Sequence, residues 1–271
     1  MKMYDGNNFI AHHIKNSIPC AVGKIGVVEL KLIANFINQY YTPDVIHEGQ
    51  YIAGIYPYNP EEYNKFTKLY INNLKEINAL SIWNTIHKEL EIEICNKIKA
   101  YPIRLQDIEP YFHEYPWSQK LENKKVLVIS PFADSIQKQF ILKNKIWSNN
   151  ILPNFTLHTI KYPHASTVWS KNPYKSTIDT IEAVKQQMDK IDYEVAIIGV
   201  GAASIPLTAY AKLKNKIGIH MGGATQILFG VKGKRWDNIK EISKFYNEFW
   251  VRPSNNETPE KVNLVEDACY W

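Results

Sequence analysis

Apolar and polar positions alternate through the second half of the chain in a pattern that sets its architecture. Lys125–Ser130, residues 195–200 and Ile217–His220 are apolar runs of strand length, residues 155–162 read as a further strand, and glycine, proline or small polar residues follow each of them. Residues 135–143 and 177–191, lying between them, carry a helical period. Pro206 suits the first turn of a helix after residues 195–200, because proline lacks the N–H that such a turn leaves unpaired. A further helix, opened by Gly222, Gly223, Ala224 and Thr225, runs to Phe229. Strands interleaved with helices build βαβ units, so the pattern predicts an α/β fold: a Rossmann-like parallel sheet with helices on both faces.

The first half reads differently. Residues 9–17 predict a short helix, 20–25 a strand and 28–41 an amphipathic helix with Leu32, Ile33, Phe36 and Ile37 on one side. Residues 51–57 read as loop or short strand, and 60–77 and 82–99 again as helices. The expected organisation is a helix-rich portion over residues 1–115, lending a strand-turn-helix at 20–41 to the site, and a Rossmann-like portion over 116–271. The proline-punctuated stretch from Glu109 to Trp117 joins them in one compact domain. The tail from Arg252 to Trp271 reads as irregular chain wrapping over that domain.

Ligands of open parallel sheets sit outside the carboxyl ends of the strands. Gly26, Glu29, residues 130–135, Pro163, His164, residues 199–204 and residues 220–225 all follow predicted strands and are expected on one rim. Two junctions stand out: Gly199, Gly201, Ala202 and Ser204 after one strand, and Gly222, Gly223 and Thr225 after another. Free N–H groups and the positive end of a helix make such junctions fit for a phosphate or diphosphate. Any parallel α/β protein also needs small residues there, and GVGAAS is not a GxGxxG fingerprint.

The side chains nearby widen the chemistry. His220 ends its strand, where it can donate to a phosphate oxygen or bond backbone at the edge of the core. Lys24, Lys234 and Arg235 are candidate anion contacts, the last two equally a solvated helix end. In KIGVVE, Glu29 lies one turn into a helix. There it can ligate a divalent metal, accept from a sugar hydroxyl, act as a base, or simply answer the helix dipole. Asp134 reads as N-cap of the helix that begins at Ser135.

Composition narrows the partners. The formal net charge of +5, from 32 basic and 27 acidic residues spread along the chain, suits an anionic ligand and permits peripheral membrane contact without requiring nucleic acid. Cys20, Cys95 and Cys269 have neither disulfide nor zinc spacing. The N-terminus is too polar for a signal peptide and no apolar run approaches the ~20 residues of a membrane span, so a cytoplasmic protein is expected, at most at the inner face of a membrane.

Several segments together resemble one family. KIGVVE, PWSQKLENKKVLVISPFADSIQKQF, GVGAASIPLTAYAK, IGIHMGGATQILFGVKGKRW, YNEFWVRP and the terminal CYW are similar to bacterial glycosyltransferases of the GT-D group, from about Cys20 onwards. The resemblance implies a nucleotide-sugar donor, a UDP-sugar in the first place, with its diphosphate against the glycine junctions. It also implies an acceptor that belongs to a surface polysaccharide or other glycan, free or lipid-linked. The family's turn is Arg-Phe-Gly-Asp-Gly-Glu, with a metal-associated Asp-x-Glu. Here Glu29 matches the final acid but Val27 stands where the aspartate would be, so a bridging Mn2+ or Mg2+ loses one ligand, and Lys24, Lys234 and Arg235 can neutralise the diphosphate instead. An NAD-dependent epimerase or oxidoreductase is the alternative from the alternation alone. The missing GxGxxG and the lack of a Tyr-x-x-x-Lys pair near the crevice argue against NAD. A non-catalytic nucleotide-sugar or glycan-binding protein is the third reading.

Overall fold

The computed structural model describes residues 2–163, 172–260 and 262–271. Its frame is a seven-stranded, all-parallel sheet in the order β3-β2-β1-β7-β6-β4-β5. The strands are β1 Cys20–Lys24, β2 Ala79–Ser81, β3 Tyr101–Ile103, β4 Lys125–Ser130, β5 Thr156–Lys161, β6 Val195–Ile198 and β7 Ile217–His220. The central strands are apolar throughout because helices cover both faces. Alternate residues feed two separate cores. Ala21, Ile129, Ala196 and Ile198 pack with Leu30 and Ile33 of the helix Val27–Ile37 and with Leu207 and Ala211 of the helix Ser204–Leu213. Cys20, Val22, Val128, Ile197 and Ile219 pack on the other face with Ile10, Ile136 and Ile227, beside an aromatic cluster around Trp147 and Trp250.

This layering fixes where a ligand can sit. β1 and β7 are neighbours, paired through Val22 and Ile219, yet the helix after β1 lies on the first face and the helix after β7 on the second. Their carboxyl ends therefore part and open a crevice, the switch point where open α/β sheets hold ligands.

The expected α/β architecture is present, with corrections in the first half. The segment 82–99 is not one helix: β2 precedes it, the helix is confined to Lys88–Lys97, and β3 follows. Strands of three residues are too short to display a period of two. The buried carboxylate of Glu91 holds the intervening turn, accepting from the backbone N–H groups of Trp83 (2.9 Å) and Asn84 (3.1 Å). The helix expected over 28–41 stops at Ile37, and a separate helix Pro43–Glu48 starts on Thr42, whose hydroxyl accepts from Val45 N–H. Of residues 51–57, expected as loop or short strand, the first three belong instead to a π-helical turn, Gly49–Ala53, that continues this helix.

Asp134 is not an N-cap. The helix Ala133–Ile141 is capped from the tail by the buried Glu257, whose carboxylate accepts from the N–H groups of Asp134 (2.9 Å) and Ser135 (3.1 Å), while Asp134 pairs with Lys161 at 2.5 Å. The tail does wrap over the domain as short turns, its last residue donating from Trp271 Nε1 to the Glu257 carbonyl at 2.7 Å. The three cysteines are free and buried, and no helix among the described residues is long and apolar enough to cross a membrane.

Candidate active site

The crevice widens into a cavity of about 500 Å³. Ten of the thirteen candidate contact residues line it, Lys24, Gly26, Glu29, Gly199, Gly201, His220, Gly222, Gly223, Thr225 and Arg235, together with Ser130 to Phe132 of the expected rim. Three others lie elsewhere. Ala202 and Ser204 are buried beneath the first junction, where Ser204 Oγ accepts from Val200 N–H at 3.0 Å. Lys234 turns outward and donates to the Asp267 carbonyl at 3.1 Å. Pro163 and Asp134 are not in the lining, and His164 lies outside the described residues.

β1 delivers Lys24 to the cavity floor. Among the described residues its side chain makes no hydrogen bond or ion pair, and its Nζ stands 5.6 Å from the centre of the Trp83 ring. Burial lowers its pKa; Glu109 and Glu29 pull it back up, while Arg235 opposes them. The chain then turns at Ile25–Gly26 into the helix Val27–Ile37, with Glu29 in its first turn. The Glu29 carboxylate folds back over Gly26 so closely that a Cβ there would come within 2.1 Å of Oε2. Burial pushes this carboxyl up to about 7, against the opposing pull of its own backbone N–H and of Lys24. Both side chains keep some surface toward the cavity, yet protein surrounds them, so charging either one carries the cost of burial.

β7 delivers His220, which is buried. Its Nδ1 lies 3.4 Å from the Ile198 carbonyl, a contact that requires the proton on Nδ1 and leaves Nε2 as an acceptor. Burial, and then the charge of Lys24, lower its pKa to about 3, so the ring is neutral at pH 7. Nδ1 thus bonds backbone at the edge of the core, the second of the two roles expected for His220. Two glycines fit the junctions together: a Cβ at Gly199 would stand 2.4 Å from the Gly222 carbonyl oxygen, and Gly222 itself has φ +62°, which glycine adopts without strain.

Several lining residues carried no sequence signal. Trp83, 37 % exposed, is fixed by donation from Nε1 to the Ile25 carbonyl at 3.0 Å, and follows the strand too short to read. Lys31 and Glu48 pair at 2.7 Å beside the π-helical turn. Glu266, Tyr270 and Trp271 of the tail form one wall, although CYW was among the segments that resembled the family. Glu109, buried and accepting from Tyr111 Oη at 2.9 Å, sits behind Lys24, and burial raises its pKa.

A divalent ion fits these residues poorly. Val27 lines the cavity at the position matching the family's aspartate, the charge that acts on Glu29 is the cation Lys24, and Glu48 is held by Lys31. Among the described residues no three His, Cys, Asp or Glu side chains gather as a ligand set. A Tyr-x-x-x-Lys spacing does occur, Tyr210 to Lys214, at the far end of its helix from the cavity; there both side chains meet Asp189 on the surface.

No family model and no curated protein matches the chain. Among solved structures, a selenomethionine-substituted domain of unknown function 1792 is similar to it, with 12% sequence identity, 79% of this chain and 76% of that chain covered, and a TM-score of 0.45.

Proposed function

We propose that the chain is a glycosyltransferase that moves a sugar from a nucleotide-sugar donor, in the first place a UDP-sugar, to a bacterial surface polysaccharide or other glycan, free or lipid-linked. The observation that carries this reading is the meeting of two cations, Lys24 and Arg235, with a carboxyl held near neutrality, Glu29, in one cavity at the switch point of the sheet. The GT-D resemblance of the segments that build it supports the same reading.

A departing diphosphate needs positive charge where its own negative charge develops, and Lys24 and Arg235 supply it. An acceptor hydroxyl needs a base with a pKa near the working pH, and Glu29 takes that proton once pH rises past about 7. The N–H groups of Gly199 and Val200 are held by the Ile129 carbonyl and by Ser204 Oγ, so the N–H of Gly201, ahead of the ten-residue helix Ser204–Leu213, serves a phosphate oxygen. Nε2 of neutral His220 accepts from a sugar hydroxyl, and the half-exposed Trp83 ring offers a stacking face for a sugar. No step passes through a metal.

A thermal-shift panel of UDP-, GDP- and CMP-sugars and NAD, each with EDTA or manganese, tests the reading. Saturation at about 100-fold over Kd adds ~2.7 kcal/mol of stability. A nucleotide sugar should stabilise the protein in EDTA; stabilisation by NAD alone would assign it to the oxidoreductases and epimerases.

A further inference from the structure

Arg235 takes nearly all its partners from the last six residues. Nη2 pairs with the Glu266 carboxylate, Nη1 donates to Tyr270 Oη at 3.2 Å, the guanidinium lies 4.9 Å from the centre of the Tyr270 ring, and the backbone N–H donates to the Cys269 carbonyl at 2.8 Å. Arg235, Glu266 and Tyr270 all face the cavity. The segment that carries Glu266 is strained: Glu266, Asp267 and Ala268 have φ of 43°, 54° and 61°, three successive non-glycine residues in the left-handed region that L side chains avoid. Beyond it the chain is anchored, since Trp271 donates to the Glu257 carbonyl and Lys234 N–H donates to the Trp271 carbonyl at 3.0 Å.

The charges of the cavity give this arrangement a purpose. Lys31 and Glu48 neutralise each other. Glu29 is pushed toward its neutral form. Lys24 and Arg235 are left, and only Arg235 is matched, by a carboxylate borne on a strained turn. A guanidinium pairs with a carboxylate or a phosphate through the same fork of N–H groups, so the two compete for one place.

We infer that Arg235 is the centre of an oxyanion site and that Glu266 is its built-in occupant, displaced when a di- or pyrophosphate group enters and letting the strained turn of residues 266–268 relax. The identity of that ligand as part of a nucleotide sugar rests on the function proposed above; the competition itself does not. Without Glu266 the ligand meets both cations unmatched, and with it Lys24 alone is left unmatched.

The test is titration calorimetry of inorganic pyrophosphate, in EDTA and at fixed ionic strength, into the full chain and its variants. Glu266→Gln should bind about tenfold more tightly than wild type, because the competing charge is gone while the side chain keeps its size. Arg235→Gln should bind at least about tenfold more weakly, and Arg235→Lys, which keeps the charge but not the fork, should fall between. Pyrophosphate should also speed hydrogen exchange at the amides of residues 266–268 in wild type. Equal or weaker binding by Glu266→Gln, slower exchange at the turn, or no binding by any form would overturn the inference. Pyrophosphate carries neither sugar nor nucleoside, so tight binding by Glu266→Gln without response to any nucleotide sugar would sink the glycosyltransferase reading and leave this one standing.

Discussion

The chain uses one local grammar twice, an apolar strand followed by glycine and then a helix, and the two copies give the cavity different things. After β6, Ser204 satisfies the Val200 N–H from within, Ala202 is buried, and a ten-residue helix follows whose aligned peptides reinforce the N–H groups at its start. After β7 the helix Ala224–Leu228 has five residues, too few for an appreciable dipole. That junction contributes side-chain chemistry instead: His220 at the strand end, and a left-handed Gly222 whose missing Cβ leaves room for Lys24, since a Cβ there would stand 3.1 Å from Lys24 Cε. Similar sequence thus divides into a backbone contribution and a side-chain contribution. Only the second meets the charged floor built by β1.

This division has consequences that can be measured. The largest effect should come from Lys24→Met, which removes the cation but keeps the length; turnover should fall by ~10²–10³, the loss expected when one group serving the developing charge is deleted. A Met variant with wild-type turnover would move the chemistry away from the charged floor.

Glu29→Gln comes next. Transfer should collapse, and the rise of the wild-type rate with pH through about 7 should disappear with it. Stability gives an independent reading. The folded pKa lies above the ordinary 4.5, so the native state binds more protons between about 4.5 and about 7, and wild type loses stability as pH rises through that window. Glu29→Gln lacks this loss, and by pH 8 should exceed wild type by on the order of 1–3 kcal/mol, with the gap closing below about pH 4.5. Denaturant curves at the two pH values check it; a gap independent of pH would mean that burial does not raise the carboxyl.

Gly222→Ala separates the junctions. Its Cβ must adopt the left-handed conformation and press on Lys24, so stability should drop by about 1 kcal/mol and anion affinity with it. The smallest effect belongs to Ser204→Ala, which should cost about 1 kcal/mol or less of stability from the lost hydrogen bond and leave ligand affinity unchanged. If Ser204→Ala weakened binding as much as Gly222→Ala, the two junctions would not differ in the way described.

What the sequence made legible followed physical range. The strands of the second half are four to six residues long, three of the four are apolar, and the glycines and charges beyond them are local signals, so most of the sheet and of the cavity rim could be read directly. β2 and β3 could not, because three residues carry no period and their turn is held by Glu91, whose role appears only when the helix Lys88–Lys97 packs back on it. The cap on the helix Ala133–Ile141 was assigned to the adjacent Asp134, whereas Glu257 supplies it from 122 positions beyond Ser135. The tail wall was invisible for the same reason: Glu266 and Tyr270 meet Arg235 across 31 and 35 positions. His220 was found by its place at a strand end, but its protonation was not, since burial beside Lys24 is a property of the assembled site.

In the function proposed, side-chain cations, and not a metal, receive the diphosphate at the charged floor. Calorimetric titration of UDP into wild type and Lys24→Met, both in EDTA, tests it most directly. The expected result is measurable binding by wild type and a loss of at least about tenfold in the variant, the scale of one charged contact. Binding that requires manganese, with Lys24→Met indistinguishable from wild type, would contradict it.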